Sequence, residues 1–166
     1  MMKKIFILHL MILLLLCGCN NTDNTKFSNS NQNNNYYSNH LFSGGNLEGG
    51  FEIREIKVQK ILNEEKIVLN FFSYSPDSDG VKANGVPIYD FNFDDNKAKL
   101  SFRNEVKIKT SKPNTKNSDL INNISIQPTY DGQSTTINFS FVEYTEYKIE
   151  ENLDKGQLIL YVKIKN

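Results

Sequence analysis

From Phe51 to Asn166, apolar residues recur at every second position in short runs separated by turn-forming residues. This period of two is typical of β-strands that bury one face, and no segment has convincing helical spacing. The pattern therefore predicts an all-β domain over residues 51–166. The apolar positions of its strands are, in chain order, Phe51, Ile53, Ile56 and Val58; Ile67, Leu69 and Phe71; Tyr89, Phe91 and Phe93; Ala98, Leu100 and Phe102; Ile121, Ile124 and Ile126; Ile137, Phe139 and Phe141; Tyr147 and Ile149; Leu158, Leu160, Val162 and Ile164.

Local departures from the alternation add detail to this prediction. The apolar parity changes at Arg54-Glu55, which indicates a β-bulge. Val68 and Phe72 are apolar on the second face of their strand, which indicates a central strand covered on both sides. Val106 and Ile108 extend the preceding strand or form a short additional one. Turns are predicted at residues 63–65, 94–96, 130–132 and 154–156, and polar loops at 75–80 and 111–118.

The two halves of this domain share a pattern of strand, turn, strand, loop, strand, turn, strand. Chance alignment of period-two patterns is the alternative to a genuine repeat. Two four-stranded antiparallel units, each with one apolar face, would bury those faces against each other as a sandwich. The correspondences are Ile53, Ile56, Val58 and Gln59 with Ile121, Ile124, Ile126 and Gln127; Ile67, Leu69 and Phe71 with Ile137, Phe139 and Phe141; and Tyr89, Phe91, Leu100 and Phe102 with Tyr147, Ile149, Leu158 and Leu160.

A different composition opens the chain. Lys3 and Lys4 precede an apolar run over residues 5–17 that is interrupted only by His9. A basic start, a short apolar run and small residues at its end are typical of a secretory signal. The run is shorter than the roughly 20 residues needed to cross a bilayer. We therefore expect residues 1–18 to be a signal peptide.

The run closes on Leu16-Cys17-Gly18-Cys19, which resembles the lipobox of bacterial lipoproteins. That resemblance implies that Cys19 receives acyl chains such as palmitate, becomes the mature N-terminus and anchors the protein outside the cytoplasm. Cys17 is an unusual residue between Leu16 and Gly18. The alternative is an ordinary signal peptide cut near Gly18, with Cys19 an incidental thiol.

Residues 19–50 are rich in Asn and Ser and contain the pairs Gly44-Gly45 and Gly49-Gly50. Such a composition buries too little apolar surface to offset the entropy of ordering, so it predicts a flexible tether. A flexible chain of this length has a root-mean-square span of roughly 30 Å. Tyr36-Tyr37 and Leu41-Phe42 are exceptions that would dock on the domain edge or contact a partner.

Composition limits the chemistry of the domain. The chain has 19 basic and 19 acidic residues, so it has no net positive charge that would favour binding to nucleic acid. Both cysteines precede residue 20 and His40 is the one histidine of the mature chain. The predicted domain thus has no Ser-His-Asp or Cys-His arrangement, no disulfide and no thiolate metal site. We expect a non-catalytic protein without cofactor, although a carboxylate pair for glycoside cleavage stays open.

One acidic segment raises the question of a metal. Asp77-Ser78-Asp79-Gly80 resembles the start of a calcium loop. Counting from Ser75, position twelve is Val86, where an EF-hand requires Glu. The segment is therefore interpreted as a turn, and no metal site is predicted.

The rhythm of residues 51–166 resembles the AMIN domain, a small β-sandwich found beside cell-wall amidases and in envelope secretion machinery. The resemblance rests on the strand Ile53-x-x-Ile56-x-Val58, on Lys99-Leu100-Ser101-Phe102, on the hairpin over residues 121–141 and on the closing strand over 158–164. It implies two similar β-sheet halves and localisation to peptidoglycan. The chain departs from the family where Asp95-Asn96-Lys97 replaces a Pro-Arg lead, Arg103-Asn104 a trailing Asp, and Gln133-Ser134-Thr135 a segment that usually holds Arg.

Four residues are candidates for ligand binding. Arg54 and Arg103 are the two arginines of the chain, and each offers a planar fork suited to carboxylates such as those of wall peptides. The alternative for each is a surface ion pair of small energetic worth. Tyr89 and Tyr147 occupy equivalent positions in the two halves. They would form an aromatic platform for sugars or, alternatively, part of the core or its rim.

These features predict a membrane-anchored extracytoplasmic lipoprotein. Its partners would be the bilayer, through Cys19, and either cell-wall polymer or wall-associated machinery. The alternative is a protein-binding accessory subunit of an envelope secretion, sporulation or pilus complex. A polymer binder requires a groove with aromatic and polar side chains, whereas a protein binder requires an exposed apolar patch or an unpaired edge strand.

Overall fold

The computed structural model describes residues 35–74, 80–129 and 134–166. Within them the only helical element is a 3₁₀ turn at Leu153–Lys155, and no helix is long and apolar enough to cross a membrane. Ten strands account for most of the described chain: β1 (Asn39–Gly44), β2 (Phe51–Ile61), β3 (Glu64–Ser73), β4 (Tyr89–Asp94), β5 (Lys97–Phe102), β6 (Val106–Ile108), β7 (Ile121–Pro128), β8 (Thr135–Phe141), β9 (Thr145–Asn152) and β10 (Gln157–Ile164).

The strands form two five-stranded sheets that pack face to face. Sheet I has the order β1-β4-β5-β8-β7, and sheet II has the order β6-β2-β3-β10-β9. Every neighbouring pair is antiparallel except β2 and β6. The prediction of an all-β sandwich is confirmed.

The two halves of the chain do not each form a sheet. The hairpin β2–β3 lies in sheet II, whereas the next hairpin, β4–β5, lies in sheet I and pairs through β5 with β8 of the second half. The prediction of one four-stranded unit per half was therefore wrong. The long connection between β3 and β4 crosses from one sheet to the other, so each sheet takes one hairpin from each half.

The strand order is nevertheless symmetric under the predicted repeat. Replacing β2, β3, β10 and β9 by their counterparts gives β7, β8, β5 and β4, the order of four of the five strands of sheet I. The fifth strands, β6 and β1, lie on sides that do not correspond. The predicted bulge at Arg54 is confirmed, and a second register shift at Asn122 occupies the corresponding place in β7. The predicted repeat is therefore present in the order of four strands of each sheet as well as in the sequence.

One correspondence in the repeat was wrong by two residues. Leu100 faces Ile137, and the matching pair in the other sheet is Leu160 with Ile67. Leu100 therefore corresponds to Leu160 rather than to Leu158. The connection over residues 153–156 is longer than the two-residue turn at 95–96, which moves the return strand by two positions.

The buried face of each sheet carries the predicted apolar residues. At one side of the core, Tyr147 stacks on Phe93 with ring centroids 4.4 Å apart, and Phe93 stacks on Phe141 at 5.6 Å. On β3, Val68 is only 7% exposed although it points away from the core. β3 lies between β2 and β10, which confirms that it is a central strand. The predicted cover on both sides was wrong, because no further layer of the described chain packs on the outer face of sheet II, where Phe72 is part-exposed.

Residues 35–50, the described part of the predicted flexible tether, contribute to the fold, which contradicts that prediction for this part; residues 20–34 of the tether lie outside the described residues. Residues Asn39–Gly44 form β1 and pair with the whole of β4. Tyr37 exchanges two backbone hydrogen bonds of 2.8 Å with Tyr147 on β9. The N-terminal segment therefore crosses from the edge of sheet II to the edge of sheet I. The docking of Tyr36-Tyr37 and Phe42 on the domain edge is confirmed, whereas Leu41 is 66% exposed and does not dock.

Several predicted features lie outside the described residues. They are the signal over residues 1–18, the lipidation site Cys19, the acidic residues Asp77 and Asp79, and the turn at 130–132.

Val106 and Ile108 form the short separate strand β6, which pairs parallel to the start of β2.

Candidate binding surfaces

The outer face of sheet I is a regular array of polar side chains. Strand registers place fifteen outward positions in three rows of five, each row crossing the sheet from β1 to β7. Ten positions are neutral amides or hydroxyls, so the face is built mainly for hydrogen bonding. The rows are Asn39, Asp94, Lys97, Ser140 and Asn123; Leu41, Asn92, Lys99, Asn138 and Ser125; and Ser43, Asp90, Ser101, Thr136 and Gln127.

Two lysines stand at the centre of this face. Lys97 and Lys99 are exposed on β5, and both line a shallow depression of about 270 Å³ with Asn92, Asn138 and Ser125. In the described part of the chain neither lysine forms an ion pair. Their charges are therefore available to an anionic group of a ligand.

Arg103 lies at the rim of the same face and is already paired. Its guanidinium donates to both carboxylate oxygens of Asp90, at 2.8 and 2.6 Å. The hydroxyl of Ser43 donates to the same carboxylate. The bonds from Arg103, followed by that from Ser43, lower the pKa of Asp90 below its usual value of 3.8. This arrangement matches the ion-pair alternative for Arg103.

The outer face of sheet II satisfies more of its polar groups internally. The amide of Asn70 donates to Glu55 at 2.9 Å and accepts from Gln157 at 2.7 Å, which joins three neighbouring strands. Lys57 also pairs with Glu55 at 2.7 Å. Further along, Lys148 pairs with Glu150 at 2.8 Å and Lys163 with Glu146 at 3.0 Å. Fewer groups are left here to bind a ligand.

A cation–aromatic cluster occupies the far corner of sheet II. The ammonium of Lys148 lies 4.4 Å from the ring centroid of Tyr161, and that of Lys163 lies 4.1 Å from the ring of Tyr36. Burial, reinforced by Glu150, raises the pKa of Tyr161 to about 12. Burial, followed by the hydrogen bond that its hydroxyl donates to Glu64, raises the pKa of Tyr36 well above its usual value. This cluster fastens the incoming N-terminal segment to the sheet.

The four candidate residues do not come together. Arg54 sits at the bulge of β2 in sheet II, where it pairs with Glu52 at 2.8 Å and lies 5.0 Å from the ring of Phe72. Arg103 follows β5 in sheet I. The two arginines thus belong to different sheets and each is paired with a carboxylate.

Tyr89 and Tyr147 are core residues, 0% and 1% exposed. The Tyr89 hydroxyl donates to Glu151 at 2.9 Å, and the Tyr147 hydroxyl donates to the backbone carbonyl of His40 at 3.1 Å. Burial raises the pKa of Tyr147 to about 12. Neither ring offers a face to solvent, so the structure favours the core alternative over a sugar platform.

Buried carboxylates in the described chain have structural partners. Glu65 is 1% exposed and accepts from the Ser118 hydroxyl and from the backbone N–H of Asp119, the latter at 2.7 Å. Glu52 is 5% exposed and pairs with Arg54. Among residues 35–74, 80–129 and 134–166, no three or more His, Cys, Asp or Glu side chains cluster as a metal site would require.

No family model, no curated protein and no solved structure matches this chain. The face of sheet I is therefore judged on its chemistry alone. The sequence analysis does not single out its residues and selects the arginines and tyrosines instead. The available signal was the run of amides, hydroxyls and lysines at alternate positions of β4, β5, β7 and β8.

Proposed function

We propose that this protein is a membrane-anchored extracytoplasmic lipoprotein whose non-catalytic sandwich binds cell-wall polymer through the outer face of sheet I. The anchor would be acylated Cys19, in the manner of the lipobox that residues 16–19 resemble. The role in wall localisation is the one that the resemblance to AMIN domains implies. The observation that carries the binding site is the polar array with Lys97 and Lys99 at its centre.

The chemistry of the array matches that of peptidoglycan. Glycan strands present hydroxyl and acetamide groups, which pair with amide and hydroxyl side chains. Their peptide stems present carboxylates, which favour unpaired lysines such as Lys97 and Lys99. A sheet face with shallow relief suits an extended polymer better than a small ligand, because small-molecule sites are enclosed pockets.

Binding at such a face is expected to be weak for each contact. The described residues of this face include no aromatic ring, so the groove with aromatic side chains expected of a sugar binder is absent there. Hydrogen bonds and screened charges must then supply the affinity. Anchoring both the domain and the polymer to the same envelope raises their effective concentration, which compensates for a modest affinity.

Sedimentation with purified, protein-free sacculi tests the proposal. The chain from residue 19 onward, with Cys19→Ser to keep it soluble, should sediment with sacculi and saturate. Changing both Lys97→Glu and Lys99→Glu should weaken this binding by about tenfold or more, the scale of one lost charge-assisted hydrogen bond. The matched control is Lys66→Glu on β3 with Lys82→Glu beside the end of β3, so that the same charge change is made on the outer side of sheet II. This control should bind normally.

Two results would contradict wall binding at this face. One is a failure of the unchanged chain to sediment at micromolar concentration. The other is an equal loss in both lysine pairs, which would indicate nonspecific attraction to the anionic wall.

A protein partner is the second candidate, and the edge of sheet I supports it. Strand β7 is eight residues long, and within the described chain no strand pairs with its outer side. An unpaired edge of this length is a template for strand addition by a partner. A photo-crosslinking residue at the exposed position Gln127 should then capture one envelope protein in cells, whereas one at Lys57 on sheet II should not.

A further inference from the structure

Three large apolar side chains are exposed at one end of the sandwich. They are Leu62 in the turn between β2 and β3, Tyr144 immediately before β9, and Ile164 at the end of β10. Their exposed fractions are 93%, 76% and 44%. We call the part of the surface formed by these three residues the entry end.

Strand pairing brings the three residues to the same edge. Ile164 lies opposite Thr145, the neighbour of Tyr144, and the N–H of Lys165 donates to the carbonyl of Tyr144 at 2.6 Å. Lys163 lies opposite Glu64, two residues after Leu62. The exposed side chains therefore follow one another across the ends of β3, β10 and β9.

Backbone conformation sets Leu62 and Tyr144 apart from ordinary exposed residues. Their φ angles are +49° and +60°, in the left-handed region that Gly and Asn favour and that bulky residues rarely adopt. A solvent-exposed leucine in this conformation strains the backbone while its side chain packs against almost nothing. Neither side chain contributes much to the stability of the domain. We therefore expect them to contact something outside the domain.

The N-terminal segment reaches the domain at this same end. Tyr36 contacts Glu64 through its hydroxyl and Lys163 through its ring. Residues 20–35 separate Tyr36 from Cys19, and sixteen residues span at most about 55 Å when fully extended. The chain that leads from the proposed membrane anchor therefore enters the domain at the end that carries Leu62.

We propose that the entry end docks onto the bilayer that holds Cys19, with Leu62, Tyr144 and Ile164 entering the interfacial region. This inference rests on the proposed lipid anchor. Tyrosine suits such a position because its ring is apolar and its hydroxyl remains hydrated. Docked in this way, the domain would stand with its strands pointing away from the membrane. The outer face of sheet I would then remain accessible to polymer.

Positive and negative side chains are balanced at the entry end, so docking there does not require anionic lipids. Lys163 is paired with Glu146, and Lys165 lies beside Tyr144, whose neighbour Glu143 is exposed. Attraction to anionic headgroups is therefore small. Docking depends on the apolar side chains, and zwitterionic phosphatidylcholine vesicles suffice as the probe surface.

The chain contains no tryptophan, so Leu62→Trp places a single fluorescent reporter at the entry end. The chain from residue 19 onward would be coupled through its one thiol, Cys19, to a maleimide lipid in phosphatidylcholine vesicles that carry spin-labelled lipid. The matched control is Val81→Trp. Val81 is 77% exposed and its carbonyl accepts from Ser73, at the opposite end of β3.

The Leu62→Trp reporter should emit at shorter wavelength on vesicles and be quenched several-fold more strongly by spin-labelled lipid than the Val81→Trp reporter. Tyr144→Trp should behave like Leu62→Trp, and moderate salt should change neither. Equal quenching at the two ends would overturn the proposal. A spectral shift that appears without lipid and grows with protein concentration would overturn it too, because a second copy of the chain would then cover this end.

In the vesicle experiment a maleimide lipid attaches the protein chemically, so its result does not depend on whether cells acylate Cys19. Mass spectrometry of the protein isolated from membranes reports whether cells acylate Cys19. An unmodified Cys19 would overturn the proposed anchor whatever the quenching shows. Strong acylation combined with equal quenching would overturn membrane docking and leave the anchor standing.

Discussion

The hydroxyl of Tyr89 on β4 donates a hydrogen bond of 2.9 Å to Glu151 on β9, which joins the two sheets at the side of the core. The same carboxylate oxygen accepts the backbone N–H of Gly45 at 2.8 Å. One side chain of sheet II thus holds both a core tyrosine of sheet I and the end of β1. Burial, followed by the charge of Glu151, raises the pKa of Tyr89 well above its usual value.

Removing the Tyr89 hydroxyl tests this junction. Tyr89→Phe keeps the ring in the core but leaves Glu151 with only the Gly45 N–H. We expect the free energy of unfolding to fall by about 1 kcal/mol, the usual net worth of one hydrogen bond. Urea unfolding measures it, with Tyr144→Phe as a control because Tyr144 is 76% exposed. Equal effects of the two changes would show that the bond to Glu151 contributes nothing.

Relief of backbone strain at the entry end should stabilise the domain. Leu62→Asn puts a residue that tolerates the left-handed region where φ is +49°. We expect the free energy of unfolding to rise by up to about 1 kcal/mol, because little packing is lost at a residue that is 93% exposed. Val81→Asn, where φ is not positive, should give no such gain. A loss of stability in Leu62→Asn would mean that Leu62 supports the fold.

The Asp90–Arg103 pair makes a pH-dependent contribution to stability. The pKa of Asp90 in the folded protein lies below its usual 3.8, so the pair stabilises the fold above that value. The contribution is lost as pH falls through the lowered pKa. Because Asp90 is 35% exposed and Arg103 54%, we expect less than about 1 kcal/mol.

Urea unfolding at neutral pH and at about pH 3 measures this contribution. Asp90→Asn should lower the free energy of unfolding at neutral pH and flatten its decline on acidification. Asp154→Asn is the control, since Asp154 forms no ion pair among the described residues. Identical acid profiles for Asp90→Asn and the unchanged chain would contradict the assignment.

Glu65 fastens the polar loop before β7 to sheet II. Glu65→Gln replaces one carboxylate oxygen by an NH₂ group and removes the charge, so the Ser118 hydroxyl and the Asp119 N–H lose their buried charged acceptor. We expect the free energy of unfolding to fall by about 1–3 kcal/mol and the amide of Asp119 to exchange faster with solvent. Glu105→Gln, which alters only a surface pair with Lys107, should do neither. Unchanged exchange at Asp119 would show that the loop is held by other contacts.

Much of the fold was predictable because a strand that buries one face imposes a period of two on its sequence. Phe91, Leu100 and Ile137 alternate with polar neighbours, and each is almost fully buried. The bulge at Arg54 was visible as a change of parity. These features are local, so the linear pattern records them directly.

The candidate site was far less predictable. Tyr89 and Tyr147 were considered for binding because they are equivalent and aromatic, yet both are core residues. Arg54 and Arg103 are held by Glu52 and Asp90, partners that sequence alone does not assign. The array around Lys99 appeared only when strand registers placed Asn92 on one side of it and Asn138 on the other.

By itself, the sequence determined the strands, their inward faces, the bulge and the correspondence of the two halves. Only the tertiary structure decided that the halves exchange hairpins, that Asn39–Gly44 completes sheet I and that Leu160 matches Leu100. The physical reason is the range of the interactions. Side-chain alternation follows from backbone geometry within one strand, whereas pairing depends on hydrogen bonds and packing between residues far apart in the chain. Tyr37 and Asn39–Gly44, in the described part of the asparagine-rich segment, join the fold because β9 and β4 offer them free edges, which the composition of the segment does not show.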